Sequence, residues 1–374
     1  MRLLIASDAF APKIDGVADT AGTIARSFAS RGHDVVVAAP APGATEIGGF
    51  RVARLSSIPL PVYPEVRITL PLRRMARLVE RFRPDAIVVM TPGPVGVAAV
   101  RALRPGVRLV HIYTTDIPEY LDAYHFGFVG PAVERMLRWM SSQAVATLCP
   151  TERVRAELES RGHVRLEVWG RGVNTALFNP SRASMDMRVR MSGGEPEKPL
   201  VLYVGRLARE KRLFDLHQAA QALDGIRYAL VGDGPQRDIL ERRFAVLPTV
   251  FTGYLRGEPL AEAFASADVF AFPSDTETFG QVVLQAMASG LPPVVVRGSA
   301  PAEFVRDGID GVHIPPRDPV ALATALRALV DDPERRASMS RAAAMHARGF
   351  SWDALMDRLE ALAGGVPQRL GVAV

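Results

Sequence analysis

The chain has 374 residues, 48% hydrophobic and 23% charged, with a formal net charge of +5 and one cysteine. This length predicts two domains, and the single cysteine excludes a disulfide framework or a cysteine-cluster metal site. The mild positive charge suits anionic ligands or an anionic membrane surface, without the basic, aromatic-interleaved stripe that nucleic acid requires.

No apolar run approaches the ~20 residues of a membrane span. The first residues, "MRLLIASDAFAPK", enter a strand pattern where a signal peptide needs more apolar length. The expected location is therefore cytoplasmic. Along the chain, short apolar runs alternate with helical patterns: 2–7, 34–39, 85–90, 108–113 and 144–149, then 199–204, 226–231, 268–273 and 292–296. Such runs, apolar on both faces and separated by helix-length segments, indicate parallel sheets covered by helices, so the fold class is α/β.

After the first strand comes a turn at Asp15 and Gly16. Glycine there lets backbone N–H groups approach an anion, although it has a purely steric use as well. The following segment places Val17, Ala21, Ile24 and Phe28 at helical spacing, and Gly32 ends the helix. Residues 67–84 set Leu72, Met75, Ala76 and Val79 at helical spacing among Arg73, Arg74, Arg77 and Arg81. A basic amphipathic helix of this kind either rests on an anionic bilayer or turns its apolar stripe into the core, and spacing fits both. Residues 133–143, with Trp139, have the same two readings. Cys149 ends a buried strand pattern and reads as a small core residue.

Residues 170–199, rich in Gly, Pro, Ser and charge, read as an interdomain linker. Beyond it, "VLYVGRLAREKRL" ends a strand at Val204 and supplies Gly205, Arg206 and Lys211. Two cations past the carboxyl end of a parallel strand sit where α/β sheets bind ligands and suit a diphosphate; an ordinary solvated loop with Glu210 as partner is the other reading. "GDGPQR" has a G-x-G but lacks the third glycine of a dinucleotide fingerprint. In "AFPSDTETFGQVVLQAMASG", Ser274 to Thr278 form a polar turn. Phe279, Gly280 and Gln281 then open a helix whose free N–H groups point to the same sheet end as Arg206 and Lys211. Glu277 can accept from hydroxyls, and Gln285 lies about two helical turns on.

Taken together, "DAFAPKIDGVADT", "WGRGVNTALFNP", "YVGRLAREK", "VGDGPQRDIL", "VFTGYLRGEPLAEAFASADVFAFPSDTETFG" and "FSWDALMDRLEAL" resemble the retaining glycosyltransferases of family 4 over nearly the whole chain. "PLPVYPEVRITL" and "GGEPEKPLVLYVGRLAREK" look most like the glycolipid-forming branch that includes sulfoquinovosyldiacylglycerol synthase. The resemblance implies the GT-B architecture, two Rossmann-like domains with parallel sheets facing across a cleft. An acceptor domain would span 1–175 with a crossover helix in 351–374, and a donor domain 176–350. It implies catalytic roles for Arg206, Lys211, Glu277 and, at the family's histidine position, Thr114. Donor contacts would come from Gly16, Gly205, Tyr254, Leu255, Phe279, Gly280, Gln281 and Gln285.

Two departures stand out. The family's E-x7-E reads E-x7-Q here, and an amide at Gln285 loses the charge-assisted strength of a carboxylate toward a ribose hydroxyl. Where relatives have histidine after an aromatic residue, "HIYTTDIPEY" has Thr114. His111 cannot replace it, because three residues along a strand put it on the opposite face, whereas Asp116 shares the face of Thr114 if the strand continues. The expected function is transfer of a sugar from a nucleotide-diphosphate sugar, UDP-linked in preference to GDP-mannose, to a hydroxyl of a lipid such as diacylglycerol. No cofactor or metal is expected, and the segment 67–84 is the candidate for peripheral contact with the inner membrane face. The alternatives are a soluble secondary-metabolite or polyol acceptor, a nucleotide-sugar epimerase, and an inactive nucleotide-sugar binding protein.

Overall fold

The structure, a computed structural model, describes residues 1–13, 16–60, 63–69, 72–114, 130–277 and 279–365. Asp15, Leu70, Pro71, Asp116, Thr278 and residues 366–374 lie outside the described residues. The chain divides into two compact units. Unit 1 comprises Met1–Gly170 with Asp353–Val374, and unit 2 comprises Arg171–Trp352.

In unit 1 the strands are β1 (Arg2–Ala6), β2 (Asp34–Pro40), β3 (Glu46–Ile47), β4 (Phe50–Leu55), β7 (Ala86–Val89), β8 (Arg108–Ile112), β9 (Ala146–Cys149) and β10 (Leu166–Val168), with a separate hairpin of β5 (Ser57–Leu60) and β6 (Tyr63–Thr69). The sheet order is β10-β9-β8-β7-β1-β2-β4-β3, and all pairings are parallel except β3 with β4. Strands β1 and β7 are buried along nearly their whole length, as expected where helices cover both faces. Helix α1 (Gly16–Ser30) buries Ala18, Ala21, Ile24, Ala25 and Phe28. Burying Phe28 alone contributes roughly 2–3 kcal/mol, and Phe28→Ala would open the cavity beneath this helix.

Helix α2 (Leu72–Phe82) decides between the two readings of 67–84. Residues 63–69 are strand, and Met75, Val79 and Phe82 are buried in the unit 1 core. Leu72, Arg73, Arg74, Ala76, Arg77, Glu80 and Arg81 face outward. Half of the predicted stripe, Met75 and Val79, therefore belongs to the core, and what the helix presents is a row of arginines beside Leu72, Ala76 and Glu80. Helix α3 (Pro94–Arg101) follows β7, α4 (Gly130–Gln143) buries Leu137 and Met140, and α5 (Glu152–Ser160) starts on the Thr151 side chain. Trp139 is half-buried against the core. Among the described residues no helix is long and apolar enough to cross a membrane.

Unit 2 begins with α6 (Met185–Met191) and continues β11 (Leu200–Val204), α7 (Leu213–Gln221), β12 (Arg227–Val231), α8 (Arg237–Phe244), β13 (Thr249–Gly253), α9 (Gly257–Ala265), β14 (Val269–Phe272), α10 (Gln281–Ala288), β15 (Pro293–Val296), β16 (Val312–Ile314), α11 (Pro319–Asp331) and α12 (Pro333–Ala347). Its sheet is parallel throughout, in the order β13-β12-β11-β14-β15-β16. The stretch 170–199 is not a bare linker. Ser184 caps α6, which buries Met187 and Met191 in the unit 2 core, and Arg188 bonds to Asp268 at 2.9 Å. Loop-like composition concealed a short helix whose only strong signal is two methionines at i, i+4.

The final helix, α13 (Trp352–Gly364), packs on unit 1 from Asp353 onward. Arg31 reaches Asp357 at 2.6 Å and Glu360 at 2.9 Å, Trp169 Nε1 donates to the Leu355 carbonyl at 2.9 Å, and Arg358 meets Glu167 at 2.7 Å. The Arg31 guanidinium holds the Glu360 carboxyl below the usual carboxylate range.

Candidate active site

In each sheet the strand order reverses beside the first strand, and ligands of open α/β sheets bind at the carboxyl ends of the strands flanking that point. In unit 2 the flanking strands are β11 and β14. The turn after β11 carries Gly205 and Arg206. Tyr203, fully buried, donates its hydroxyl to the Arg206 carbonyl at 3.0 Å and stacks its ring near Phe272, with centroids 6.3 Å apart. A β-carbon at Gly205 would lie 2.6 Å from that hydroxyl, so glycine is required by close approach. Burial, with Glu277 and Glu210 nearby, raises the Tyr203 hydroxyl well above its ordinary pKa and keeps it a neutral donor.

The loops after β12 and β13 are knitted to this turn. Leu207 N–H donates to the Asp233 carbonyl at 2.9 Å, and Gly232 N–H to the Gly253 carbonyl at 2.9 Å. A β-carbon at Gly232 would sit 1.9 Å from the Gly205 carbonyl, and one at Gly234 2.5 Å from that of Leu207. The G-x-G thus serves backbone-to-backbone packing of neighbouring loops. Tyr254, 49% exposed, donates to the Asp233 carbonyl at 3.2 Å, while Leu255 packs against the core.

Lys211 follows in the short turn Arg209–Lys211. Its Nζ bonds directly to Glu277 Oε1, and the two side chains are only 19% and 15% exposed. The buried Ser274 donates to the same Glu277 oxygen at 3.1 Å. Glu277 stands just before α10. Gly280 opens that helix in a left-handed conformation (φ +85°) with Pro301 against it, a site closed to any side chain. Phe279 is buried on Phe304. Gln281 and Gln285 share one face of α10, partly exposed beside the buried Val283, Leu284 and Ala286.

The structure therefore brings Gly205, Arg206, Lys211, Glu277 and the start of α10 to one end of one sheet. Gly16 and Thr114 belong to unit 1. Gly16 begins α1 and accepts from Thr20 at 2.7 Å. Thr114 is buried after β8, and its hydroxyl donates to the Met90 carbonyl at 2.8 Å. His111 is buried in β8 with neither ring nitrogen hydrogen-bonded to any of the described residues, and burial lowers its pKa to about 4.

Sequence reasoning missed Tyr203, whose signal was only its offset from Gly205, and it read Ser274 as part of a polar turn without foreseeing its bond to Glu277. It also missed Asp8. Asp8 follows β1 and accepts from Thr91 Oγ1 at 2.7 Å, Val95 N–H at 2.9 Å and Gly96 N–H at 3.4 Å, capping α3 from another strand. Burial raises its pKa against those bonds.

Comparison with known proteins bears on the whole chain. Residues 14–177 match the model described as Glycosyltransferase Family 4, and residues 189–346 that described as Glycosyl transferases group 1. The chain is 36% identical to sulfoquinovosyl transferase SQD2 of Arabidopsis thaliana over 89% of its own length and 67% of that protein. It is 33% identical to a GDP-mannose-dependent alpha-mannosyltransferase of Mycobacterium tuberculosis, covering 96% of this chain and 95% of the relative. Among solved structures, Anabaena HepE in complex with UDP-glucose superposes with a TM-score of 0.79 at 20% identity, covering 98% of this chain and 100% of HepE. With two parallel-sheet α/β units in the GT-B architecture and both halves matched, the chain belongs to the family 4 glycosyltransferases.

Proposed function

We propose that the protein transfers a hexose-type sugar from a nucleotide-diphosphate sugar to a lipid hydroxyl, with retention at the anomeric carbon and without a metal. The observation that carries this reading is the Lys211–Glu277 contact beside Arg206 at the reversal point of the unit 2 sheet. A diphosphate arriving there draws Lys211 and Arg206, and Glu277, released from Lys211, accepts from hydroxyls of the transferred sugar. The acceptor oxygen forms its bond to the anomeric carbon on the face from which the diphosphate departs, and its proton passes to the leaving phosphate oxygen. The main demand is stabilisation of charge on the leaving group, and two cations and the α10 N–H groups meet it in place of a metal ion.

The names of the relatives frame the substrates. A sulfoquinovosyl transferase and GDP-mannose-dependent mannosyltransferases both stand near this chain, and we favour a UDP-sugar donor with GDP-mannose as the competitor. An alpha-monoglucosyldiacylglycerol synthase of Acholeplasma laidlawii, 24% identical, favours diacylglycerol as the first acceptor to try. The outward arginines of α2 suit an anionic lipid surface at the cytoplasmic side.

Thermal unfolding against UDP, GDP, ADP and their sugar conjugates tests the donor, because a ligand of the native state raises the melting temperature by mass action. One conjugate should shift it clearly, and that donor should label diacylglycerol in vesicles with unchanged rate in chelator. No shift from any nucleotide sinks the enzyme reading. Thr114 stands where relatives carry histidine, and we assign it to donor choice: Thr114→His should reorder the donors, and an unchanged ranking refutes that assignment.

A further inference from the structure

The chain passes between its two units at Gly170–Arg171 and again at Trp352–Asp353. On the unit 2 side these two crossings are joined. Val173 N–H donates to the Phe350 carbonyl at 3.1 Å. Gly172 lies so close to Trp352 that a β-carbon would come within 2.5 Å of the indole.

Each crossing is also fastened to the loop that opens α10, by a different kind of contact. To the first crossing runs a hydrogen bond, from Gln281 Nε2 to the Gly172 carbonyl at 2.9 Å. To the second runs a column of rings: Phe279 stacks on Phe304 with centroids 4.9 Å apart, and Phe304 meets Phe350 edge-on at 5.8 Å. Phe350 is held from its other side by His346 at 5.4 Å, whose Nδ1 bonds to the fully buried Asp310 at 2.8 Å.

Gln281 Oε1 is buried and has no hydrogen-bond partner among the described residues. A buried acceptor left unmade is costly, and leucine at this position would avoid that cost while filling the same space. The residue is thus held in place for its amide nitrogen, the half that reaches Gly172.

We propose that Gln281 is a positioning residue that couples occupancy of the donor loop to the order of Gly172–Val173, the unit 2 segment that follows the first crossing. The coupling rests on the donor reading above, in which the backbone N–H groups of Phe279 to Gln281 face the donor phosphates. An anion that fixes those groups fixes the first turn of α10 and the direction in which the Gln281 side chain leaves it. The Gly172 carbonyl is then held more firmly, and with it the Val173–Phe350 bond. Linkage makes the effect reciprocal: a crossing already ordered favours the nucleotide.

Hydrogen–deuterium exchange on the full chain tests this, with and without the nucleotide that raises its melting temperature most, UDP or GDP. Nucleotide should slow exchange at Val173 about fivefold, a coupling of ordinary size between linked sites. In Gln281→Leu, Val173 should exchange faster without ligand and should lose its nucleotide-dependent slowing. The segment around Phe350, tied through the rings, should keep its own response. Gln281→Glu, which preserves the length but not the donor, should behave the same way and stands in if the leucine variant does not fold. Nucleotide that binds wild type without slowing Val173, or that slows it equally in either variant, overturns the coupling alone. Failure of any nucleotide to bind overturns the donor reading and the coupling with it.

Discussion

The carboxyl ends of β1 and β7 in unit 1 and of β11 and β14 in unit 2 are equivalent places, each at the reversal of strand order in a parallel sheet. The polar groups there are committed differently. In unit 1, Asp8 spends its oxygens on Thr91 and on the backbone of α3. Those partners are fixed parts of the fold. In unit 2 the turns carry Gly205, against the Tyr203 hydroxyl, and Gly280, against Pro301, and the principal side-chain contact is Lys211 with Glu277. Two side chains that satisfy one another can each be taken over by a ligand, the lysine by an anion and the carboxylate by hydroxyls, whereas a carboxylate that caps a helix cannot leave without undoing the cap. The same topological position carries a brace in one unit and, on the function proposed above, a receptive site in the other.

The strongest way to break this comparison is to remove the exchangeable cation. Lys211→Ala should lower the transfer rate about 10²–10³-fold, the scale of losing one preorganised group that stabilises developing charge. Its far-UV spectrum should be unchanged. A variant that keeps its rate within tenfold would show that Lys211 serves the fold through Glu277, as Asp8 serves α3.

A second test uses pH, and it concerns unit 1. His111, buried without hydrogen-bond partners among the described residues, has its pKa pushed down to about 4 from an ordinary 6.5. The unfolded chain therefore binds a proton there at higher pH than the folded chain does. This group's contribution to stability is complete above pH ~6.5 and falls through the window down to about pH 4, by up to about 3 kcal/mol. Urea unfolding of wild type and His111→Phe between pH 7 and 4.5 isolates it, because the other titrating groups are common to both. Curves that run parallel through that window would contradict the assignment.

These contrasts bear on what could be read from sequence. All nine apolar runs contain strands, because a strand buried on both faces needs an unbroken apolar segment, and these runs are short and rich in β-branched residues. β4 escaped notice because "FRVARL" alternates with arginine, and β10 and β16 are three residues each. The glycines and charges after β11 and β14 were legible as a candidate site because their chemistry is local to each turn. Asp8 was not, because its value lies in meeting Thr91 and α3 more than eighty residues away, and no periodicity reports such a meeting. The two readings of α2 were separable only by burial, since an apolar stripe looks alike whether it faces a core or a bilayer.

If Asp8 is a brace, its loss should cost stability and spare the ligand. Asp8→Ala leaves the Val95 and Gly96 N–H groups and the Thr91 hydroxyl without their acceptor, and should lower unfolding free energy by about 2 kcal/mol. Nucleotide affinity, measured by titration calorimetry below the melting range, should stay within twofold. An affinity loss larger than that would place Asp8 itself in the donor site and erase the contrast.

The smallest effect is expected at Gln285, and it asks how far the receptive character of unit 2 extends along α10. Gln285 lies one turn beyond Gln281 on the same face, eight residues after Glu277, where the family pattern has a second carboxylate. If a ribose hydroxyl donates to this side chain, Gln285→Glu replaces a neutral acceptor by a charged one. Charge-assisted bonds exceed neutral ones by roughly 1 kcal/mol, so nucleotide affinity should rise about fivefold. The gain should fade as pH falls through the ordinary range of a glutamate, because the protonated acid is again a neutral acceptor. A carboxylate that merely adds negative charge near the diphosphate would act in the opposite sense. It would weaken binding, and the loss would be relieved by salt. The sign of one calorimetric change therefore distinguishes a residue that touches the ribose from one that only borders the phosphates.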